Sequence, residues 1–176
     1  MIFDPTPLPG VLLVRPERHT DQRGYFARTW DAAVMAEHGL APALAQCSTS
    51  FNPTAGTLRG MHYQEAPHAE AKLVRCVRGS LYDVVVDLRR DSPTFRSWMG
   101  VELNPENGAQ LYIPEGCAHG YMTIEADTEV SYAISAAWAP AAARGVRWDD
   151  PAFGIQWPGT PEVIGERDAT YADFAG

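Results

Sequence analysis

The sequence of 176 residues lacks a long apolar run, and its first residues show no basic segment followed by an apolar one. Because a helix needs about 20 consecutive apolar residues to cross a bilayer, we expect neither a membrane span nor a secretion signal. The three cysteines, Cys47, Cys76 and Cys117, have neither zinc-site spacing nor a Cys-x-x-Cys motif. Reduced thiols in a cytoplasmic protein are the simplest interpretation.

The chain also has few basic residues, with 14 Lys and Arg against 22 Asp and Glu and a net charge of −8. A protein without excess positive charge gains little from releasing the counterions of a nucleic acid, so we expect no nucleic-acid partner. No repeat, low-complexity tract or linker divides the chain, along which 15 glycines and 14 prolines are spread. The length predicts a single domain over residues 1–176.

Short segments with the alternation of β-strands recur between turn residues. One helix is predicted over residues 31–38, where Asp31 can cap the start and Gly39 ends it. Residues 140–176 look irregular apart from a short terminal helix. Many short strands predict an all-β fold, an antiparallel sandwich or barrel. The predicted strands cover residues 11–14, a turn and strand at 21–26, and then 45–51, 57–64, 72–78, 80–88, 97–103, 109–113, 118–125 and 128–135.

The run Gly-Thr-Leu-Arg-Gly-Met-His-Tyr-Gln at residues 56–64 is the most informative segment. Strict alternation would place Arg59 and His62 on opposite strand faces, but a bulge or twist at Gly60 could bring both to one rim. Arginine beside histidine suits a bound anion next to a proton-transfer group. These nine residues alone are equally compatible with a structural strand that carries a surface arginine and a hydrogen-bonded histidine.

A second motif covers residues 108–120, with glycine, five residues, Pro-Glu-Gly, two residues and His119. The Pro-Glu-Gly segment has the chemistry of a turn, because proline presets φ and glycine accepts a positive φ. The turn leads His119 into the next strand, where its side chain can point into a barrel. This spacing resembles the second motif of the cupins, with Thr123 where that motif has asparagine.

Further segments stand in order around these motifs, at residues 21–26, 72–74, 92–94 and 147–151. Taken together, they make the chain resemble, nearly end to end, the dTDP-4-dehydrorhamnose 3,5-epimerase family of cupin-fold nucleotide-sugar epimerases. The resemblance implies a cupin-type antiparallel jelly roll with a few short helices. It also implies inversion at C3 or C5, or both, of a dTDP-4-keto-6-deoxyhexose such as dTDP-4-keto-6-deoxyglucose.

Four catalytic residues follow from this resemblance. His62 would be the base that removes a proton next to the ketone, oriented by a carboxylate placed at Asp168. Tyr132 would deliver a proton to the opposite face of the sugar. Lys72 would lie near the ketone oxygen, where a compact positive charge stabilises an enolate.

The resemblance also implies substrate-binding residues. Arg23, Arg59 and Gln46 would meet the diphosphate, with His119 close by. A homodimer with shared active sites is implied, in which Arg23 and Phe26 reach towards the pocket of the partner.

Three further positions belong to the implied substrate site but depart from the usual family pattern. Ser48 stands where many members have asparagine and so loses an amide donor. Trp138 replaces a phenol and can stack on a base or a sugar. Arg28 stands where members that recognise thymidine often have glutamate, so the sequence does not determine the identity of the nucleotide base.

Other interpretations of these residues remain at the level of the sequence. Tyr132 shares a strand face with Val130 and Ile134, so periodicity alone places it in the core. Lys72 could be an exposed strand residue, His119 a core histidine, and Asp168 a surface charge. For a metal site, many cupins use His-x-His in the first motif, whereas this chain has glutamine at position 64. Two histidines alone are too few ligands for a divalent ion, so we expect no metal and no other cofactor.

Two other functions fit the same residues. The first is a cupin 3,4-ketoisomerase on a related nucleotide sugar, which would not need Tyr132. The second is a sugar-binding cupin without catalysis.

Overall fold

The computed structural model describes residues 1–175 and consists mainly of antiparallel strands. Within this range there are two short helices, α1 (Ala32–Glu37) and α2 (Glu166–Ala169). The strands are β1 (Ile2–Pro5), β2 (Leu12–Arg15), β3 (Arg18–Asp21), β4 (Gly24–Ala27), β5 (Gln46–Asn52), β6 (Thr57–Gln64), β7 (Lys72–Arg78), β8 (Leu81–Asp87), β9 (Trp98–Leu103), β10 (Gln110–Ile113), β11 (Cys117–Thr123), β12 (Thr128–Ile134), β13 (Ala143–Gly145) and β14 (Val163–Ile164).

Two sheets build the framework of the molecule. Sheet one has the strand order β1-β2-β10-β7-β12-β5, and sheet two has the order β13-β6-β11-β8-β9, with β14 parallel to β6. Strands β3 and β4 form a separate hairpin. This architecture confirms the predicted all-β cupin-type jelly roll. No helix within residues 1–175 is long and apolar enough to cross a membrane.

The two sheets enclose an apolar core and are each covered on the outside. Between them lie side chains from both sheets, such as Val74 and Leu111 of sheet one and Val85 of sheet two. The outer face of sheet two packs against the segment that contains Val146, Phe153 and Ile155. Because β8 is covered on both faces, it reads as a nearly continuous apolar run in the sequence.

Helix α1 covers the outer face of sheet one and forms as predicted. The Asp31 carboxylate accepts hydrogen bonds from the N–H groups of Ala33 and Val34, which satisfies two otherwise unpaired donors of the first turn. Met35 is the fully buried residue of this helix and packs with Val14 and Leu73. The helix therefore contributes through one anchoring side chain.

The C-terminal segment has more structure than its sequence predicts. Residues 140–176 were expected to be irregular with a short terminal helix, and α2 confirms that helix. The expectation missed β13 and β14, which are three and two residues long. Strands this short show no periodicity, and both exist because β6 offers a free edge for pairing. Strand β1, which the sequence analysis also did not predict, pairs with the edge of β2.

A β-bulge in β6 reverses the alternation of its side chains. Arg59 pairs with Tyr121 and His62 pairs with His119 of β11, so two residues of β6 lie opposite Gly120 alone. The extra residue places Arg59 and His62 on the same face, as the sequence analysis anticipated for Gly60. The bulge requires glycine, because Gly60 has φ +126° and an added Cβ would lie 2.5 Å from the Cα of Gly120.

Replacing Gly60 by alanine is expected to destabilise the protein by at least about 2 kcal/mol, because both the positive φ and the backbone contact disfavour a side chain. Urea denaturation monitored by circular dichroism measures this change. Gly159→Ala is the matched control, since a Cβ at that position meets nothing within 4 Å. Equal unfolding midpoints for the two variants would contradict the role assigned to the bulge.

Candidate active site

A cavity of about 490 Å³ opens between the two sheets. Strands β5, β7 and β12 contribute its lining from sheet one, while β6 and β11 contribute from sheet two. Nine of the twelve site residues predicted from the sequence line this cavity. They are Gln46, Ser48, Arg59, His62, Lys72, His119, Tyr132, Trp138 and Asp168.

His62 and Asp168 form a hydrogen-bonded pair in this cavity. The Nε2 atom of His62 lies 2.7 Å from Oδ1 of Asp168, and the other carboxylate oxygen accepts a hydrogen bond of 3.0 Å from the N–H of Gly60. The partners are 106 residues apart, and the pairing of β14 with β6 brings helix α2 to this position. Asp168, which the sequence alone would allow as a surface charge, is therefore buried beside the histidine.

The environment of Asp168 favours its ionised form. Burial acts to raise the pKa of this carboxyl, but the hydrogen bonds from His62 and from the Gly60 N–H outweigh burial and lower the pKa below its ordinary value. Asp168 then holds the proton of His62 on Nε2, which leaves Nδ1 as the nitrogen that can accept another proton. This is the geometry of a histidine base with an orienting carboxylate.

Tyr171 supports the same histidine and was not anticipated from the sequence. Its ring meets the ring of His62 edge-on, with 6.4 Å between centroids and an angle of 73°. It also lies against Gly145 of β13, where an added Cβ would come within 2.2 Å of the tyrosine ring. A lone tyrosine in an irregular segment gives no sequence signal, because its position depends on how the tail folds back.

Lys72 reaches the cavity from the start of β7, where it has two protein partners. Its Nζ lies 3.0 Å from Oε1 of Glu70 and donates a hydrogen bond of 3.1 Å to the backbone oxygen of His62. The side chains of Lys72 and Glu70 are each only 10% exposed. Glu70 is a second site residue that the sequence analysis missed, although its spacing of two from Lys72 places both on one face of an extended chain.

Tyr132 approaches the cavity from β12 of sheet one, opposite the sheet that carries His62. Its hydroxyl forms a hydrogen bond of 3.2 Å with Oγ of Ser50. Burial, together with the neighbouring Tyr121 phenol, raises the pKa of Tyr132 well above its ordinary value, so the phenol keeps its proton. The side chain also packs against the inter-sheet core, as the periodicity of β12 predicts, and it lines the cavity as well.

His119 occupies the strand position directly opposite His62. Its Nε2 lies 2.6 Å from Oδ1 of Asp83, and both side chains are buried. The ring also meets Tyr132 edge-on, with 6.3 Å between centroids. His119 is thus both a packed histidine and a cavity residue. Alternation along β11 and β8 places His119 and Asp83 on the face of sheet two that points to the inter-sheet core.

The remaining predicted residues form the polar side of the cavity. Arg59 is held by a hydrogen bond of 2.8 Å from its Nε to Oδ1 of Asn52. Gln46 and Ser48 alternate along β5, which has a single neighbour in the sheet. Two further arginines that the sequence analysis had not singled out, Arg144 and Arg167, also line the cavity.

Two loops at the cavity are tied together by Gln64. Its amide nitrogen donates to the backbone oxygens of His68 and Ala137, and its Oε1 accepts from the N–H of Ala139. Trp138 lies between Ala137 and Ala139, and the residue is 63% exposed at the cavity. Its backbone N–H donates a hydrogen bond to Oε1 of Gln46.

The donor set gives no metal-binding cluster in the described part of the chain. Within residues 1–175, no group of three or more His, Cys, Asp and Glu side chains is arranged to hold a metal ion. Position 64, where many cupins have a second histidine, carries a glutamine whose amide is occupied by the loop contacts described above.

Three predicted residues lie outside this cavity, in and after the β3–β4 hairpin. Arg23 pairs with Asp21, Arg28 lies 2.9 Å from Asp31, and the side chain of Phe26 is 69% exposed. The resemblance assigns Arg23 and Phe26 to a pocket shared with a partner subunit and Arg28 to the nucleotide base. These assignments remain predictions.

Replacing Asp168 by asparagine is expected to cost the most stability at neutral pH and progressively less towards acid. Because the folded-state pKa is below the unfolded value of ~3.9, the carboxylate stabilises the fold fully above that value, and this contribution is lost as the pH falls through the folded pKa. Urea unfolding of wild type and variant at several pH values between 7 and 3 measures the difference.

Asp127→Asn provides the control, since that carboxylate is 55% exposed and lies 3.8 Å from Arg78. A difference between wild type and Asp168→Asn that stays constant over this pH range would mean that the carboxylate does not act through its charge.

Comparisons with known proteins agree with one family over almost the whole chain. The family model described as dTDP-4-dehydrorhamnose 3,5-epimerase matches residues 5–176. A curated relative of that name from Sinorhizobium fredii is 44% identical over 171 residues, which cover 97% of this chain and 88% of the relative. The relative from Methanothermobacter thermautotrophicus is 42% identical, over 89% of this chain and 83% of its own.

Solved structures show the same likeness. The dTDP-4-dehydrorhamnose 3,5-epimerase of Elizabethkingia anophelis superposes with a TM-score of 0.94 at 34% identity, covering 99% of this chain and 96% of that chain. A Legionella pneumophila epimerase in complex with dTDP-4-keto-L-rhamnose gives 0.89 at 32%, covering 96% and 89%. A 3'-monoepimerase of Streptomyces bikiniensis in complex with dTDP-quinovose gives 0.85 at 33%, covering 93% and 83%.

Proposed function

The chain belongs to the dTDP-4-dehydrorhamnose 3,5-epimerase family, and from that premise we propose that its cavity binds a dTDP-linked 4-keto-6-deoxyhexose and inverts C3 or C5, or both. It is an isomerase of the epimerase type. The observation that carries the proposal is that His62 and Tyr132 reach one cavity from opposite sheets. A proton can then leave one face of the sugar and return to the other.

The reaction is difficult because a carbon-bound proton must be removed at neutral pH. The gap between a protein base and such a proton is roughly a dozen pK units, or about 16 kcal/mol at ~1.4 kcal/mol per unit. A general base supplies only ~10²–10⁴-fold in rate. The site must therefore also stabilise the enolate that forms on the ketone oxygen.

We assign proton removal to Nδ1 of His62 and stabilisation of the enolate to Lys72. Asp168 keeps the Nε2 proton in place and stabilises the imidazolium that forms when Nδ1 takes the carbon-bound proton. The Lys72 ammonium is a compact charge, and one well-placed donor at an oxyanion contributes about 3–4 kcal/mol.

Tyr132 then gives its phenolic proton to the opposite face of the enolate carbon, which completes the inversion. Its raised pKa means that the phenol enters each cycle protonated. To restore the enzyme, the phenolate takes one proton from solvent and the His62 imidazolium returns one, so the reaction consumes no net proton. Burial disfavours the phenolate, which favours this recovery.

The diphosphate of the substrate is assigned to the polar side of the cavity, with Arg59 as its central contact. Asn52 holds Arg59 through Nε, which orients the guanidinium so that its Nη groups can meet phosphate oxygens. Gln46, Ser48 and His119 complete this side, and Trp138 offers an aromatic surface for a base or a sugar.

A homodimer with shared active sites is part of the proposal. The exposed Phe26 and the arginines of the β3–β4 region lie outside the cavity of their own chain. An exposed aromatic side chain on a solvent-exposed hairpin is suited to a protein contact. Arg23 and Phe26 would then complete the cavity of the partner, and Arg28 would lie near the nucleotide.

Incubation of the protein in D₂O with dTDP-4-keto-6-deoxyglucose tests the function directly. We expect deuterium to enter at C3 or C5, because each enolate is reprotonated by groups that exchange with solvent. Mass spectrometry and NMR of the recovered sugar show the positions labelled. Migration of the ketone would instead indicate a 3,4-ketoisomerase, and binding without any exchange would indicate a non-catalytic sugar-binding protein.

The variant His62→Ala is expected to lower this exchange by at least about 10³-fold, since it removes the general base. Binding of dTDP, measured by calorimetry, should stay nearly unchanged, because His62 is not assigned to the nucleotide. His38→Ala is the matched control, as that histidine stacks on Phe3 away from the cavity. Exchange that persists in His62→Ala would refute the base assignment.

Tyr132→Phe is expected to retain deuterium exchange while the yield of inverted product falls by about 10²-fold, because the base remains and the acid on the opposite face is lost. NMR of the product epimers separates the two effects. Tyr82→Phe serves as the control, since Tyr82 lies on the outer side of sheet two against Gly100. Unchanged epimer ratios in Tyr132→Phe would exclude the phenol from the mechanism.

A further inference from the structure

A carboxylate lies inside the cavity next to the proposed enolate-stabilising lysine. Oε1 of Glu70 is 3.0 Å from Nζ of Lys72, and both side chains are 10% exposed. Glu70 lines the cavity but belongs to none of the pairs that orient the two histidines, which use Asp168 and Asp83. Its position therefore calls for a role tied to Lys72.

The backbone around Glu70 is firmly anchored. The next residue, Ala71, donates its N–H to Ser135 Oγ at 2.8 Å and accepts the Ser135 N–H at 3.0 Å. Two residues before Glu70, the carbonyl of His68 accepts a hydrogen bond of 3.0 Å from Gln64. With both sides fixed, the carboxylate is presented from a stable position and can hold a flexible lysine.

The contacts of Lys72 leave one donor for a ligand. An ammonium group has three N–H donors on a flexible four-carbon stem. One is directed to Glu70 and a second to the backbone oxygen of His62, at 3.1 Å. Because two of the three N–H groups are held by protein partners, the direction of the third is fixed. The bond to the backbone oxygen of His62 also places the ammonium next to the residue that is assigned as the base.

We propose that Glu70 is a positioning residue that fixes Lys72 so that its remaining N–H meets the developing enolate oxygen. This inference rests on the proposed function, because it assumes that Lys72 acts on the ketone. Glu70 itself does not touch the substrate. Its effect belongs to the step in which negative charge develops on oxygen, so it concerns kcat more than KM.

The test uses the rate of deuterium exchange at saturating substrate for wild type, Glu70→Ala, Glu70→Gln and Lys72→Met. We expect Glu70→Ala to lower this rate by about 10²-fold, as expected for a misplaced catalytic group, with KM changed less than about threefold. Glu70→Gln keeps an oxygen acceptor for the ammonium and should recover at least about tenfold of that loss.

The decisive comparison is the double variant Glu70→Ala with Lys72→Met. If Glu70 acts through Lys72, it should exchange as slowly as Lys72→Met alone, because no ammonium remains to be positioned. Equal fractional losses from Glu70→Ala with and without Lys72 would show a general structural role and overturn the inference. An unchanged rate in both Glu70 variants would overturn it too.

Two controls separate this inference from its premise. Asp4→Asn removes a carboxylate from an exposed pair with Arg15, at 2.6 Å, and should leave the exchange rate unchanged. Absence of exchange in the wild type would refute the proposed function itself. Exchange in the wild type with no coupling between Glu70 and Lys72 would refute the role of Glu70 alone. Should Glu70→Ala fold poorly, Glu70→Gln replaces it in the same comparison. Its rate loss relative to wild type should then disappear when Lys72→Met is also present, and a loss that persists there would overturn the inference.

Discussion

The close contact between Gly60 and Gly120 is the constraint on which the site depends. It permits the bulge in β6 that brings Arg59 and His62 to one face. The same bulge presents the N–H of Gly60 to Asp168, so a single irregularity of the backbone orients the histidine and also holds the carboxylate behind it. An unbroken ladder at this point would have turned one of the two side chains away from the cavity.

In the rest of the site, each buried carboxylate is paired with a nitrogen group. His62 has Asp168, His119 has Asp83 and Lys72 has Glu70, each pair within 3.0 Å. The pairs give each of the three carboxylates a partner, and all these side chains are largely shielded from solvent except that of His62, which is 41% exposed. Donors that are held in fixed positions also stabilise a charge that develops during a reaction better than mobile ones do.

Much of the fold could be predicted from the sequence, because long strands with clear alternation and a capped helix carry local signals, as β12 and α1 do. The bulge at Gly60 could be anticipated since glycine permits it. In contrast, β13 and β14 form only because β6 has a free edge, and no local pattern marks them. Asp168 was placed through the family resemblance, whereas Tyr171 depends on how the tail folds back and was missed. Glu70 was also missed, although its spacing of two from Lys72 is a local signal.

The buried amide of Gln64 has a mechanical consequence for the entrance of the cavity. It bridges the loop before β7, which carries Glu70, and the loop that carries Trp138. Displacement of either loop must stretch hydrogen bonds to the same side chain. We therefore expect the two rims to be mechanically coupled, so that a ligand displacing Trp138 at the entrance also shifts the segment that carries Glu70.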